Sequence, residues 1–255
     1  MSYTPADVKR LREETGAPMM ECKAALDEAE GNFERARAIL REKGVAAADK
    51  RSGRQTNAGV VAVATSRDGM TLGAVVLESE TDFVAKNPEF IQMAQELAEV
   101  FRDNDPGGDP MSVSGVKERI EAAVGRIREN IRISRAVRIQ SDMPLPYYVH
   151  HDRTKGAVVK LKSGDADALR KVAIQVVSNP PEVVRKEQLS QEKLDAEIEI
   201  ETQRAIKEGK PENIARNIAQ GRVNKEFVKK AVLVEQPFYA DTSKTVNQYL
   251  EEEGK

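Results

Sequence analysis

The chain has 255 residues, of which 40% are hydrophobic and 32% charged, and its formal net charge is −2 at pH 7. This length allows one large domain or two to three small ones. The charge disfavours a sequence-independent nucleic-acid binder, which is usually strongly basic. A single cysteine is typical of a reducing compartment. The apolar runs are too short to span a bilayer, and no signal peptide precedes the first helix, so a cytoplasmic protein without membrane contact is expected.

Residues 1–45 are predicted to form a bundle of three short helices. Thr4 followed by Pro5 is a helix start signal, and Asn32 is suited to cap the third helix. Gly16 and Gly44 are predicted to end the first and third helices. The second helix, from about Met19 to Glu28, carries Met19, Cys22 and Leu26 on one side. Residues 46–57 have no apolar period and are predicted to form a linker.

Residues 58–141 are predicted to form a first half of an α+β core. Two Val-rich strands flank an Asp68-Gly69 turn, which indicates a β-hairpin. Apolar residues recurring at three and four positions indicate the helices that follow. The predicted elements are strands Gly59–Thr65 and Thr71–Glu78, a loop Ser79–Asn87, helices Pro88–Phe101 and Val113–Ile131, and a strand Ile133–Gln140.

Residues 142–255 repeat this order of elements and are predicted to form the second half of the core. Gly73 and Gly156 each begin the sequence Gly-Ala-Val-Val, and with the matching order of elements this favours a duplicated core. Residues 190–222 predict two charged helices around Gly209-Lys210-Pro211, an antiparallel, coiled-coil-like hairpin. The predicted elements are strands Tyr147–His150, Gly156–Leu161 and Ala231–Val234, and helices Ala166–Val177, Gln191–Glu208, Pro211–Gln220 and Thr245–Leu250.

The reactive residue types do not converge on an enzyme site. His150 and His151 precede Asp152, but adjacent strand residues point to opposite faces, so a polar turn is favoured over a metal site. Cys22 lies on the apolar side of a helix, which favours a buried structural thiol over a nucleophile. No phosphate-binding or dinucleotide motif occurs. We therefore expect no catalytic residue, bound metal or cofactor.

Glu80–Asn87, between a strand and a helix, stands out because it places Phe83 next to Asp82. Considered alone, this segment favours a helix-capping loop whose Phe83 packs back into the core. A functional loop is the alternative. The residues themselves do not decide between the two.

The same segment carries a resemblance to a known family. Thr81-Asp82-Phe83-Val84 followed by Asn87 resembles the signature loop of the elongation factor Ts family, which implies that the segment is functional. Further similar motifs occur in the family's order along nearly the whole chain: Thr15–Lys23, Leu40–Gly44, Arg128–Ile131, Tyr148–His151, Gly209–Arg222 and Gln236–Phe238. One departure is Glu226, which looks like a one-residue insertion between Lys225 and Phe227.

The resemblance implies a guanine nucleotide exchange factor that acts by binding elongation factor Tu. It implies a ubiquitin-associated-like N-terminal bundle, a duplicated α+β core and a helical hairpin. It also implies a 1:1 complex with Tu or a dimer of such heterodimers, and no direct contact with nucleic acid. Two other classes remain as alternatives: a ubiquitin-associated-type adaptor without exchange activity, and an enzyme acting on nucleotides.

The resemblance also implies which residues contact the partner. Thr81, Asp82, Phe83 and Val84 would displace Mg²⁺ from Tu. A histidine of the second core half, His150 in preference to His151, would act on the phosphate loop of Tu. Met19, Met20 and Lys23 would add contacts from the N-terminal domain.

Overall fold

The computed structural model describes residues 3–160 and 166–253. These residues divide into two compact units: unit 1 contains 3–143 and 151–155, and unit 2 contains 144–150 and 156–253. Both units combine helices with antiparallel strands, which confirms the predicted α+β class. Leu161, the predicted end of one strand, and the terminal residues Gly254 and Lys255 lie outside the described residues.

Unit 1 begins with three helices whose buried side chains form one apolar cluster. Thr4 and Asp7 form a capping box at the first helix, and Gly16 ends that helix with φ 66°, as predicted. The helices and strands of unit 1 are α1 Pro5–Thr15, α2 Met19–Glu28, α3 Phe33–Arg51, β1 Ala58–Thr65, β2 Thr71–Ser79, α4 Asp82–Ala85, α5 Pro88–Asp103, α6 Val116–Ile127 and β3 Ile131–Gln140.

The prediction that Gly44 ends the third helix is wrong. Helix α3 continues to Arg51 and includes the first part of the segment 46–57 that was predicted as a linker. The reason is a tertiary contact between α3 and α6. A Cβ atom built on Gly125 of α6 would lie 3.3 Å from the Gly44 Cα. This close packing outweighs the cost of a glycine inside a helix, about 1 kcal/mol.

A three-stranded antiparallel sheet in the order β1-β2-β3 forms the centre of unit 1. Helix α5 packs on β1 and β2, as its apolar period predicts. The core between them includes the fully buried side chains of Val75, Leu77, Phe90, Leu97 and Phe101. The sheet and α5 therefore form a rigid support for the short segment that joins them.

Helix α6 is shorter than predicted. The sequence predicts one helix over Val113–Ile131, but α6 ends at Ile127 and Ile131 begins β3. Arg128 adopts a left-handed conformation with φ 68°, which terminates the helix. Ile131 continues the apolar spacing of the helix in the sequence, but it is buried as the first residue of β3 and not as part of α6.

Unit 2 begins with a short hairpin, on which the following helix packs. That order of elements matches the start of the sheet in unit 1, and the duplication itself stays a prediction. The helices and strands of unit 2 are β4 Tyr147–Val149, β5 Gly156–Val158, α7 Ala166–Ser178, α8 Gln191–Lys207, α9 Glu212–Arg222, a π-helix Val223–Val228, α10 Lys229–Ala231, β6 Pro237–Phe238, β7 Asp241–Thr245 and α11 Val246–Glu253.

Helices α8 and α9 pack against each other, joined by residues 208–211. Ala205 of α8 and Ala215 and Ala219 of α9 are fully buried, and such small side chains allow close helix packing. Arg222 pairs with Glu208 at 2.6 Å and with Glu201 at 3.4 Å. The two predicted helices are thus present, while the coiled-coil character of the pair is still a prediction.

The predicted strand Ala231–Val234 is wrong. Ala231 ends α10, Val232 forms only an isolated bridge to Val183, and Leu233–Glu235 is a turn of 3₁₀-helix. The four apolar residues are buried or half-buried in the core of unit 2, which explains the pattern without a strand. A short apolar run does not distinguish a strand from a buried helical segment.

Candidate partner-binding site

The predicted loop Ser79–Asn87 contains one turn of helix, α4, whose N-cap and first three residues are Thr81–Val84. Thr81 is the N-cap of α4, and its hydroxyl accepts a hydrogen bond from the Val84 amide at 3.4 Å. Immediately before it, the fully buried Ser79 donates its hydroxyl proton to the Thr81 carbonyl oxygen at 3.0 Å. Asn87 caps α5 through the Glu89 amide at 2.9 Å. The turn is therefore anchored at both ends.

Phe83 points into solvent from this anchored turn. Its exposed fraction is 83%, whereas Phe90 and Phe101 of the neighbouring helix are 1% and 0% exposed. The interpretation in which Phe83 packs into the core is therefore wrong. An exposed aromatic ring gains nothing from folding of the free chain, and its apolar surface is available for burial against a partner.

Asp82 lies beside Phe83 and carries a negative charge at neutral pH. Its carboxylate accepts a hydrogen bond from the Lys86 ammonium at 2.6 Å, one helical turn away. This hydrogen bond, together with the positive charge of Lys86, lowers the pKa of Asp82. Both side chains are largely exposed, so the pair contributes little to stability and its charges are accessible to a partner.

The three candidate residues of the N-terminal bundle lie on α2. Met20 is 72% exposed, Met19 is 42% exposed, and Lys23 is also exposed. Of the three residues predicted on one side of this helix, Cys22 and Leu26 are buried, whereas Met19 lies at the exposed first turn. The two methionines instead add exposed apolar area at the first turn of α2.

Cys22 is a buried structural thiol, as predicted. Its side chain is fully buried and its thiol donates to the Ala17 carbonyl oxygen at 3.4 Å. Burial raises the pKa of this thiol, which disfavours the nucleophilic thiolate.

The two histidines belong to different units of the structure. His150, in unit 2, is half-buried, and its Nδ1 atom lies 3.0 Å from the Tyr148 hydroxyl. His151 is exposed and belongs to unit 1. Over residues 3–160 and 166–253, no three His, Cys, Asp or Glu side chains form a group suited to hold a metal ion.

The helices within the described ranges include none that is both long and apolar enough to cross a membrane. The exposed side chains of Phe83 and Met20 present apolar surface that is available for burial against a macromolecular partner. The sequence profile described as Elongation factor TS matches residues 80–255.

Full-length relatives carry the same name. The chain is 37% identical over 273 residues to Elongation factor Ts of Aquifex aeolicus (strain VF5), covering 100% of this chain and 94% of the relative. It is 38% identical over 267 residues to Elongation factor Ts of Desulfovibrio desulfuricans (strain ATCC 27774 / DSM 6949 / MB), covering 100% and 93%. For Elongation factor Ts of Arthrospira platensis the identity is 40% over 247 residues, covering 94% and 99%. The chain belongs to the elongation factor Ts family.

Proposed function

We propose that this protein binds elongation factor Tu in its GDP-bound form, displaces Mg²⁺ and promotes GDP release so that GTP can bind. The observation that carries the proposal is the exposure of Phe83, 83%, on an anchored turn in a member of this family. It acts as a binding partner and performs no covalent chemistry. It works in the cytoplasm without a cofactor, in a 1:1 complex or a dimer of heterodimers with Tu.

The physical basis is differential binding to two states of Tu. GDP is held in a GTPase by backbone donors around its phosphates and by Mg²⁺ that bridges phosphate and protein oxygens. An exchange factor binds better to the state in which these contacts are broken. By linkage, the exchange factor weakens the binding of nucleotide to Tu by the same factor by which nucleotide weakens the binding of the exchange factor to Tu. A high nucleotide concentration then releases the factor.

The turn Thr81–Val84 supplies the groups for this task. Phe83 provides a rigid apolar body that wedges between elements of the partner, and its loss of water contact on binding favours the complex. Asp82 brings a negative charge to the polar network around the metal. Thr81 and Val84 set the turn that presents both side chains.

Contacts elsewhere extend the interface. Met19, Met20 and Lys23 add an apolar and a basic contact from a ubiquitin-associated-like bundle. From the second half of a duplicated core, His150, or His151 in its place, acts on the phosphate loop of Tu. The helices α8 and α9 serve as a coiled-coil-like hairpin in this architecture.

The test follows release of a fluorescent GDP from purified Tu with and without this protein. The proposal expects acceleration that grows with the concentration of the protein, and no binding of GDP to the isolated chain in calorimetry. Equal release rates in both samples would refute it. Tight binding to ubiquitin or a nascent chain without any effect on Tu would instead favour the adaptor class.

A further inference from the structure

The segment between α6 and β3 contacts the candidate site directly. The Glu129 carboxylate accepts two hydrogen bonds from Thr81, one from its backbone amide at 3.0 Å and one from its hydroxyl at 2.6 Å. Next to it, the Asn130 amide donates to the Glu80 carboxylate at 2.6 Å. The two residues that join β2 to α4, Glu80 and Thr81, are thus held by two consecutive residues of a distant segment.

The double contact at Thr81 determines where the turn begins. The amide of an N-cap residue has no partner inside its own helix, so an external acceptor fixes its position. Hydrogen bonds to a carboxylate are shorter and stronger than neutral ones. Because Phe83 follows the N-cap within the same short turn, fixing Thr81 also fixes the direction in which the Phe83 Cα–Cβ bond leaves the backbone.

Glu129 is itself held in place by its neighbours. Asn130 is 6% exposed, and its side-chain amide donates to the Ser52 carbonyl at 3.3 Å and the Arg54 carbonyl at 2.7 Å. On the other side, the Arg128 guanidinium pairs with the Glu21 carboxylate of α2. The segment 128–130 therefore has contacts that restrain it on both sides of Glu129.

Arg128 occupies a backbone position that glycine would adopt more easily. Its φ of 68° is in the left-handed region, which costs a non-glycine residue free energy at a helix end. Retained strain of this kind suggests a role for the side chain. The Arg128 side chain pairs with Glu21 of α2, the helix that carries Met20, and Glu129 is the next residue after Arg128.

We propose that Glu129 is a positioning residue for exchange: it orients the turn Thr81–Val84, so that Phe83 meets the partner in one direction. This inference rests on the proposed function. It predicts that Glu129 acts through Phe83 and has no contact of its own with Tu.

A double-mutant cycle tests this directly. Glu129→Ala is expected to slow stimulated GDP release at least about tenfold, because it removes both charge-assisted hydrogen bonds to Thr81. Glu129→Gln, which keeps one acceptor, should give an intermediate rate. In the Phe83→Ala background, Glu129→Ala should change the rate by less than about twofold, because the ring that it orients is gone. Hydrogen exchange of residues 81–87 should increase in Glu129→Ala while the melting temperature is unchanged.

Glu96→Gln is the matched control, since Glu96 pairs with Arg119 at 3.5 Å in the same unit and has no hydrogen bond to the turn. It should exchange like wild type. A wild-type rate for Glu129→Ala, or the same slowing in both backgrounds, would overturn the positioning role. Failure of the proposed function gives a different result, because Phe83→Ala and wild type would then release GDP at the same rate.

Discussion

Gly73 of β2 lies directly against Arg102 of α5. A Cβ atom built on Gly73 would be 2.2 Å from the Arg102 amide nitrogen and 2.2 Å from the Ala98 carbonyl oxygen. Both neighbours are backbone atoms, which cannot rotate away as a side chain can. Glycine is therefore what allows the helix to approach the sheet this closely, and the same strand and helix carry the turn Thr81–Val84 between them.

Gly73→Ala is expected to lower the free energy of unfolding of unit 1 by about 2 kcal/mol, because overpacking forces the helix away from the strand. Urea unfolding measures this change. Gly108→Ala is the control, since a Cβ atom there would meet nothing within 4 Å. Equal stability of the two variants would show that α5 can shift without cost.

The order of the elements was predictable from the sequence, whereas several of their ends were not. Start signals such as Thr4 act within the chain's own helix, so they can be recognised locally. The continuation of α3 through Gly44 does not follow from the local sequence, because a contact with Gly125, distant in sequence, decides the conformation of Gly44. The hydrogen bonds from Thr81 to Glu129 were equally unpredictable, since they join residues far apart in the chain.

The π-helix coincides with the one departure from the family resemblance noted in the sequence. Glu226 lies within the π-helix Val223–Val228. A π-turn accommodates one extra residue inside a helix while the flanking turns keep their faces. Val223 and Val228 are accordingly both buried. The exposure of Phe83, by contrast, could not be derived from residue type, because most phenylalanines in folded proteins are buried.

Asp82→Asn should slow stimulated GDP release at physiological Mg²⁺ by less than loss of Phe83 does. The negative charge that disturbs the metal's polar network is then absent. The difference from wild type should diminish when Mg²⁺ is chelated, since the step that Asp82 assists has already occurred. Release rates at several Mg²⁺ concentrations check this. A deficit that is the same with and without Mg²⁺ would contradict the role in metal displacement.

Cys22 should make the stability of the N-terminal bundle fall at high pH. Burial raises the pKa of its thiol in the folded state above the unfolded value of about 8.5. Its contribution is therefore complete below about pH 8.5 and is lost as the pH rises through the folded pKa. The measurement compares unfolding of wild type and Cys22→Ala from pH 7 to 10; parallel curves would exclude this contribution. Thiol labelling of the folded protein should also be slow at pH 8.

Gln175 and Gln236 form a buried hydrogen-bond network in unit 2. The Gln175 amide donates to the Gln236 side chain at 2.8 Å and to the Pro237 carbonyl at 3.3 Å, and its oxygen accepts from the Tyr239 amide at 2.7 Å. Gln175→Leu leaves these groups without a partner, which should destabilise unit 2 by about 3 kcal/mol. Thermal unfolding measures the loss. The exposed Gln191→Leu should have almost no effect, and similar values for both would refute the network's contribution.

The central claim is tested most directly by Phe83→Ala, with stimulated GDP release from Tu and thermal stability measured on the same samples. Truncating an aromatic anchor typically costs about 2 kcal/mol or more of complex stability, which is more than tenfold in rate at about 1.4 kcal/mol per decade. Because Phe83 is 83% exposed, the melting temperature of the Phe83→Ala variant should equal that of wild type. Val184→Ala, at a position 49% exposed between α7 and α8, is the control and should behave as wild type in both measurements. A more than tenfold slower release with unchanged stability is the predicted result, and a wild-type rate per folded molecule would contradict the account.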